Sequence, residues 1–195
     1  MPDRLPTALT IDRRCALAWL ACLLATPAAA QAPGVSRMTA SAFSFAALDG
    51  GDIRLAAYSG KPILVVNTAS QCGYTPQYAG LQDLWTRYRE RGLMIIAVPS
   101  NDFGGQEPGG ASEIHDTANH VYGITFPLAA KAVVKGASPH PFYKWAASER
   151  PLDVPRWNFH KYLIGRDGRI VAAFPSAVEP NDPRLIAAIE KQLAD

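Results

Sequence analysis

Cys72 sits in the segment Ser70-Gln-Cys-Gly-Tyr-Thr75 and is the residue best equipped for chemistry in this sequence. A cysteine thiolate is a strong nucleophile that can attack a peroxide O–O bond, giving a sulfenic acid as first product. A dithiol oxidoreductase needs a second cysteine three positions on, and Thr75 stands there. Dithiol exchange within this loop is therefore excluded. A peroxide-reducing thiol is left, beside the blander reading of a small buried hydrophobe. The other cysteines, Cys15 and Cys22, lie near the N-terminus. No metal spacing is read from the four histidines, His115, His120, His140 and His160. Each is expected at the surface, and neither a metal nor a cofactor is expected.

The elements around Cys72 favour the reactive reading. Lys61-Pro-Ile-Leu-Val-Val-Asn67 is a short β-branched run, as expected of a strand buried on both faces. Thr75-Pro76 reads as an N-cap followed by proline at the first helical position. Tyr78, Leu81, Trp85 and Tyr88 then recur at helical spacing until Gly92. Leu93 to Val98 is the next buried strand. This β-α-β unit predicts two parallel strands, with Cys72 between a strand end and a helix N-terminus. The free N–H groups of such a helix end favour the thiolate.

Further along, a Gly-rich loop covers 104–110. A helix is predicted from Ser112 to Tyr122, closed by Gly123, then a strand around Ala132 to Val134 and a short helix from Pro141 to Ser148. Phe159–Ile164 and Arg169–Phe174 read as a hairpin around Gly165-Arg-Asp-Gly168. Pro183 to Leu193 reads as an amphipathic helix. Ile53-Arg54-Leu55 reads as a short strand near the start. The predicted architecture is α/β, three layers around a central mixed sheet, in the order of a thioredoxin-like fold.

Composition agrees with one globular domain: 48% hydrophobic and 18% charged residues, with a net charge of +2. Nothing in the charge pattern suggests nucleic-acid binding. At the N-terminus, Arg13-Arg14 precede the apolar run 15–25, and Ala28-Ala29-Ala30 follow. That order reads as a secretory signal peptide over 1–30, cleaved after Ala30, by a general or a twin-arginine route. Residues 31–42 read as a flexible leader and 43–195 as the domain. The exported chain is expected in the periplasm, where Cys72 would be its one thiol.

Three segments resemble the signatures of the glutathione peroxidase family, in the family's order. They are Val66-Asn-Thr-Ala-Ser-Gln-Cys-Gly-Tyr-Thr-Pro-Gln-Tyr-Ala-Gly-Leu81, Pro99-Ser-Asn-Asp-Phe-Gly-Gly-Gln-Glu-Pro-Gly109 and Trp157-Asn-Phe-His-Lys-Tyr-Leu163. The resemblance covers about residues 40 to 193. It implies an antioxidant peroxidase with a site of Cys72, Gln106, Trp157 and Asn158. The Gln106 amide, Trp157 indole and Asn158 amide would donate hydrogen bonds to the thiolate and to developing charge on peroxide oxygen. Asn67 and Phe103 would be structural, and Pro127 would be the cis-proline that thioredoxin-like folds set against the site. The substrates implied are a small-molecule peroxide and a thiol reductant, glutathione by family default.

The sequence departs from many cysteine-type members in two places. Ala118 stands at the resolving-cysteine position, and Ser100 stands where another cysteine often precedes the asparagine of the second motif. An internal disulfide is thus put in doubt, and an external thiol should reset Cys72. The alternative is a peroxide sensor that is oxidised once with little turnover. The short segment between Trp145 and Trp157 resembles monomeric members, whose open site admits lipid hydroperoxides at a membrane surface.

Overall fold

The β-branched run after Pro62 forms β3 (Ile63–Thr68), every residue of which is buried. β3 pairs in parallel with β4 (Met94–Pro99), with Val66 opposite Ala97. On its other side it pairs antiparallel with β5 (Lys161–Ile164), which pairs antiparallel with β6 (Ile170–Phe174). The order β4-β3-β5-β6 is thus a mixed sheet. The computed structural model describes residues 38–194, so the signal peptide expected over 1–30 lies outside the described residues. No helix among the described residues is long and apolar enough to cross a membrane.

The sheet is covered on both faces. One face carries α1 (Gln77–Tyr88) and α4 (Pro183–Ala194), which bury Tyr78, Leu81, Leu84, Tyr88, Leu185 and Ile189 against Leu64, Val66 and Leu163. Each such side chain stabilises the packing by about 1.5–3 kcal/mol relative to exposure. The other face carries α3 (Pro141–Glu149) and the hairpin of β1 (Ser44–Ala46) and β2 (Asp52–Arg54). There Phe45, Phe142 and Trp145 pack on Val65, Ile96 and Tyr162. Alternate β3 side chains face opposite layers, as the period of two requires.

Several boundaries move. Of the leader expected over 31–42, the described part is ordered from Ala40, which is buried in a 3-10 turn and donates its N–H to Gly168 O. α1 begins at Gln77 and not directly after Thr75, because the Thr75 hydroxyl is engaged with the preceding loop. The helix predicted over 112–122 is two pieces: α2 (Ala111–His115), then a π-helical turn (Asp116–Val121) closed by Gly123 at φ 65°. The strand predicted at 132–134 does not form. Single bridges at Leu128 and Ala129 take its place, and Val134 donates its N–H to the Asp102 carboxylate. The Phe126–Pro127 peptide is trans, since no cis bond occurs among the described residues; Pro127 docks to the sheet by its carbonyl, which accepts the Ala97 N–H.

Candidate active site around Cys72

Cys72 follows the C-terminal end of β3, in the loop that winds into α1. Consecutive short-range bonds, Thr75 N to Cys72 O, Gln77 N to Tyr74 O and Tyr78 N to Thr75 O, shape that loop as a lead-in to the helix. The Thr75 hydroxyl fixes it from inside: it donates toward Ala69 O (2.8 Å) and Cys72 O (2.7 Å) and accepts the Cys72 N–H (3.1 Å). Thr75 is buried, so these bonds have no solvent competitor. Cys72 is a free thiol, buried at 7% exposure. Its Sγ accepts the Tyr74 N–H at 3.4 Å, a backbone dipole aimed at the sulfur.

The Gly-rich loop is fastened alongside. Gln71 donates its N–H to Gln106 O (3.0 Å). The Ser70 N–H and hydroxyl both donate to Glu107 Oε2, at 2.9 and 3.1 Å, while the Glu107 N–H donates to Asn101 Oδ1. Glu107 is buried, and burial raises its carboxyl above the ordinary value, opposed by the Ser70 bonds and by Lys131. Its Oε2 thus holds two loops in register.

The segment before β5 supplies the third wall. Asn158 is buried and its Nδ2 donates to Gln106 Oε1 (3.0 Å) and to Phe103 O (3.4 Å). This commits the Gln106 amide oxygen and leaves its NH₂ to donate elsewhere. Trp157 is 39% exposed, and its ring lies so near Gly104 that a Cβ there would meet it at 3.1 Å. Phe159 holds the left-handed conformation, φ 64°, uncommon for a bulky residue. Asn67 holds it there: its carbonyl accepts the Phe159 N–H, its N–H donates to His160 O, and its Nδ2 donates to Trp157 O.

The structure therefore joins Gln106 to Asn158 side chain to side chain, places Trp157 over Gly104, and ties Gln106 to the Cys72 loop through backbone. Among the described residues, none of the three side chains hydrogen-bonds to Cys72 Sγ; that contact is made by Tyr74 N–H. Asn67 and Phe103 are buried and structural, as expected. Three residues of this region were not anticipated: Thr75 as a loop anchor, Glu107 as a loop clamp, and Lys161. Lys161 is fully buried, and its Nζ donates to Gln77 Oε1 (2.7 Å), Phe159 O (2.8 Å) and Val178 O (2.7 Å). Burial pushes it down to about 8.

The histidines do not all lie at the surface. His160 is buried, and burial followed by the nearby Lys161 charge pushes it down to about 4, leaving a neutral imidazole whose Nε2 has no partner among the described residues. His140 is half-buried, stacked on Phe45 at 4.5 Å, and its Nδ1 accepts the Phe142 N–H at the start of α3. His160 lines a cleft of about 450 Å³ with Tyr74, Leu152, Arg156 and Trp157. The cleft thus adjoins the Cys72 loop, and its mostly apolar lining also includes Arg156 and Asp153.

The chain is similar to known proteins in both sequence and fold. A family model described as glutathione peroxidase matches residues 41–147. The hydroperoxy fatty acid reductase gpx1 of Synechocystis sp. is 43% identical over 160 residues, covering 77% of this chain and 94% of that protein. The glutathione peroxidase-like peroxiredoxin gpx1 of Schizosaccharomyces pombe is 42% identical over 135 residues, covering 68% and 85%. Among solved structures, Trgpx in its apo form superposes with a TM-score of 0.68 at 31% identity, covering 82% of this chain and 98% of that one. A thiol:disulfide interchange protein from Chlorobium tepidum, at 15% identity and TM-score 0.61, shares the fold.

Proposed function

We propose, for a chain that belongs to the glutathione peroxidase family, that Cys72 reduces hydroperoxides by a one-cysteine cycle. Thiol-dependent peroxidase activity is the family's; the cycle is inferred from the site. The observation that carries it is that Cys72 is the one cysteine among the described residues, held at a strand end with a backbone N–H on its sulfur.

In the first step the Cys72 thiolate attacks the outer peroxide oxygen and the O–O bond breaks. The departing alkoxide takes a proton and leaves as alcohol, or as water from hydrogen peroxide. Cys72 is oxidised to the sulfenic acid. In this reading the Gln106 NH₂ and the Trp157 indole N–H serve as donors for the charge on the leaving oxygen, and Asn158 positions Gln106 through its bond to the amide oxygen. An external thiol then attacks the sulfenate sulfur and expels water, leaving a mixed disulfide. A second thiol attacks that disulfide, returning the Cys72 thiolate and releasing the oxidised thiol pair. Ala118 and Ser100 are both fully buried and carry no sulfur, which supports reduction from outside the chain.

The cleft beside Tyr74 and Trp157 suits long substrates. Its apolar lining, with Leu152 and Val154, accepts an acyl chain, and Arg156 in the same lining can pair with a carboxylate. This supports fatty acid and lipid hydroperoxides as substrates beside hydrogen peroxide, with glutathione or another small thiol as co-substrate and no prosthetic group. The reading includes export to the periplasm, a monomeric state and access to lipid hydroperoxides at a membrane surface.

The test is steady-state consumption of hydrogen peroxide and of a fatty acid hydroperoxide, with glutathione and thioredoxin compared as reductants. Turnover with a small thiol is expected, with complete loss in Cys72→Ser. Normal turnover in that variant would sink the proposal. Fast oxidation of Cys72 in one equivalent without turnover on any reductant would instead identify a peroxide sensor, the reading that the missing second thiol also allows.

A further inference from the structure

The π-helical turn brings together three side chains that have no part in the site above. In a regular α-helix, residues five apart point about 140° away from one another around the axis. A π-helix widens the turn so that the fifth residue comes back into line. Here His115 and His120 are five apart across Asp116–Val121, and their rings meet edge to face with centroids 5.1 Å apart. Asp116 lies between them, with Oδ1 3.1 Å from His120 Nδ1. One ligand atom from each of the three falls within 4.8 Å of the other two.

The backbone under them is secured. Ile114 and Ala118 are buried on the inner side of the turn. Tyr122 N–H donates to Thr117 O, Gly123 N–H to Asn119 O, and Asn119 Nδ2 to Ile124 O. The ligand-bearing side faces outward, with Asp116 and His120 exposed and His115 half-buried, so an ion can enter from solvent.

We propose that His115, Asp116 and His120 bind one divalent late first-row transition-metal ion of the Zn²⁺ class. Two imidazole nitrogens and a carboxylate are a borderline donor set that suits Zn²⁺ and its neighbours; Mg²⁺ and Ca²⁺ prefer all-oxygen sites. Bonds of about 2.0–2.2 Å at tetrahedral angles put ligand atoms about 3.4 Å apart. The Asp116–His120 pair is already near that separation, and rotation of the His115 side chain supplies the rest. Three protein ligands leave the fourth position to water.

The test is a Zn²⁺ titration by calorimetry on the full chain with serine at Cys15, Cys22 and Cys72, so that no thiol competes. One Zn²⁺ per chain is expected, undisturbed by excess Mg²⁺. Affinity should fall by at least about tenfold in His115→Ala and in His120→Ala. Absence of saturable binding, equal affinity in the variants, or displacement by Mg²⁺ would overturn the assignment. Should a variant fold poorly, histidine NMR of the same thiol-free chain decides: Zn²⁺ should shift the imidazole signals of His115 and His120 and leave those of His140 and His160 in place. A shift confined to the latter pair would equally refute it.

Discussion

Asn158 shows how a motif residue can act on a reaction without touching the reacting sulfur. Its Nδ2 is bonded to Gln106 Oε1 and Phe103 O, so its effect passes through the orientation of the Gln106 amide. Asn158→Ala should lower the second-order rate of Cys72 oxidation by hydrogen peroxide by roughly 10- to 100-fold, the usual penalty for a misplaced catalytic group. The rate at which a thiol resets the sulfenate should be unchanged. Stopped-flow oxidation and single-turnover reduction separate the two steps, and an unaltered oxidation rate would make Asn158 a purely structural core residue. The residue types and spacing of Cys72, Gln106, Trp157 and Asn158 were legible because they arrive inside continuous motifs. The duties of Lys161 and Glu107 were not. The acceptors of Lys161 come from Gln77 and Val178, far apart in the sequence, and only the tertiary fold assembles them.

Among the elements, those with strong local signals formed where they were read, with starts shifted by one or two residues in α1, β5 and β6. β3, α1, β4 and the β5–β6 hairpin each carry a buried run or a helical repeat bounded by glycine. The π-helical turn escaped because a period of 3.6 gives no sign of a widened turn, and the expected strand near Val134 escaped because Asp102 captures its N–H. The β3–α1 loop depends on one hydroxyl. Thr75→Val keeps the shape but removes the hydroxyl that donates to Ala69 O or Cys72 O and accepts the Cys72 N–H, leaving that buried N–H without a partner. A loss of about 1–3 kcal/mol in unfolding free energy is expected from that orphaned donor alone. Peroxidase activity should fall with it, as Cys72 loses its fixed position. Denaturant titration and initial rates on the same preparation measure both.

For the whole molecule, two buried bases contribute to how stability varies with pH. His160 is depressed from 6.5 to about 4. The unfolded chain therefore binds a proton that the folded chain refuses, and stability is lost as pH falls from 6.5 toward 4. Lys161 is depressed from 10.5 to about 8. The same sign applies, so stability should rise as pH climbs above 8. Tyr78 and Tyr162 are raised by burial and oppose this above their ordinary value of 10.0, which confines the rise to about pH 8–10. Unfolding free energies across pH 4–10 should show both slopes. Lys161→Met should flatten the alkaline slope and destabilise the fold by at least about 1–3 kcal/mol, the cost of one stranded buried acceptor. An alkaline slope equal to that of the native sequence would mean that Lys161 titrates normally.

The solitary thiol of the described domain has a consequence for how its partner can be identified. With no second sulfur there to cut the adduct free, whatever reduces Cys72 must first become covalently attached at that one address. Its mass, read from the protein withdrawn from its native compartment under oxidant stress, would name the reductant directly.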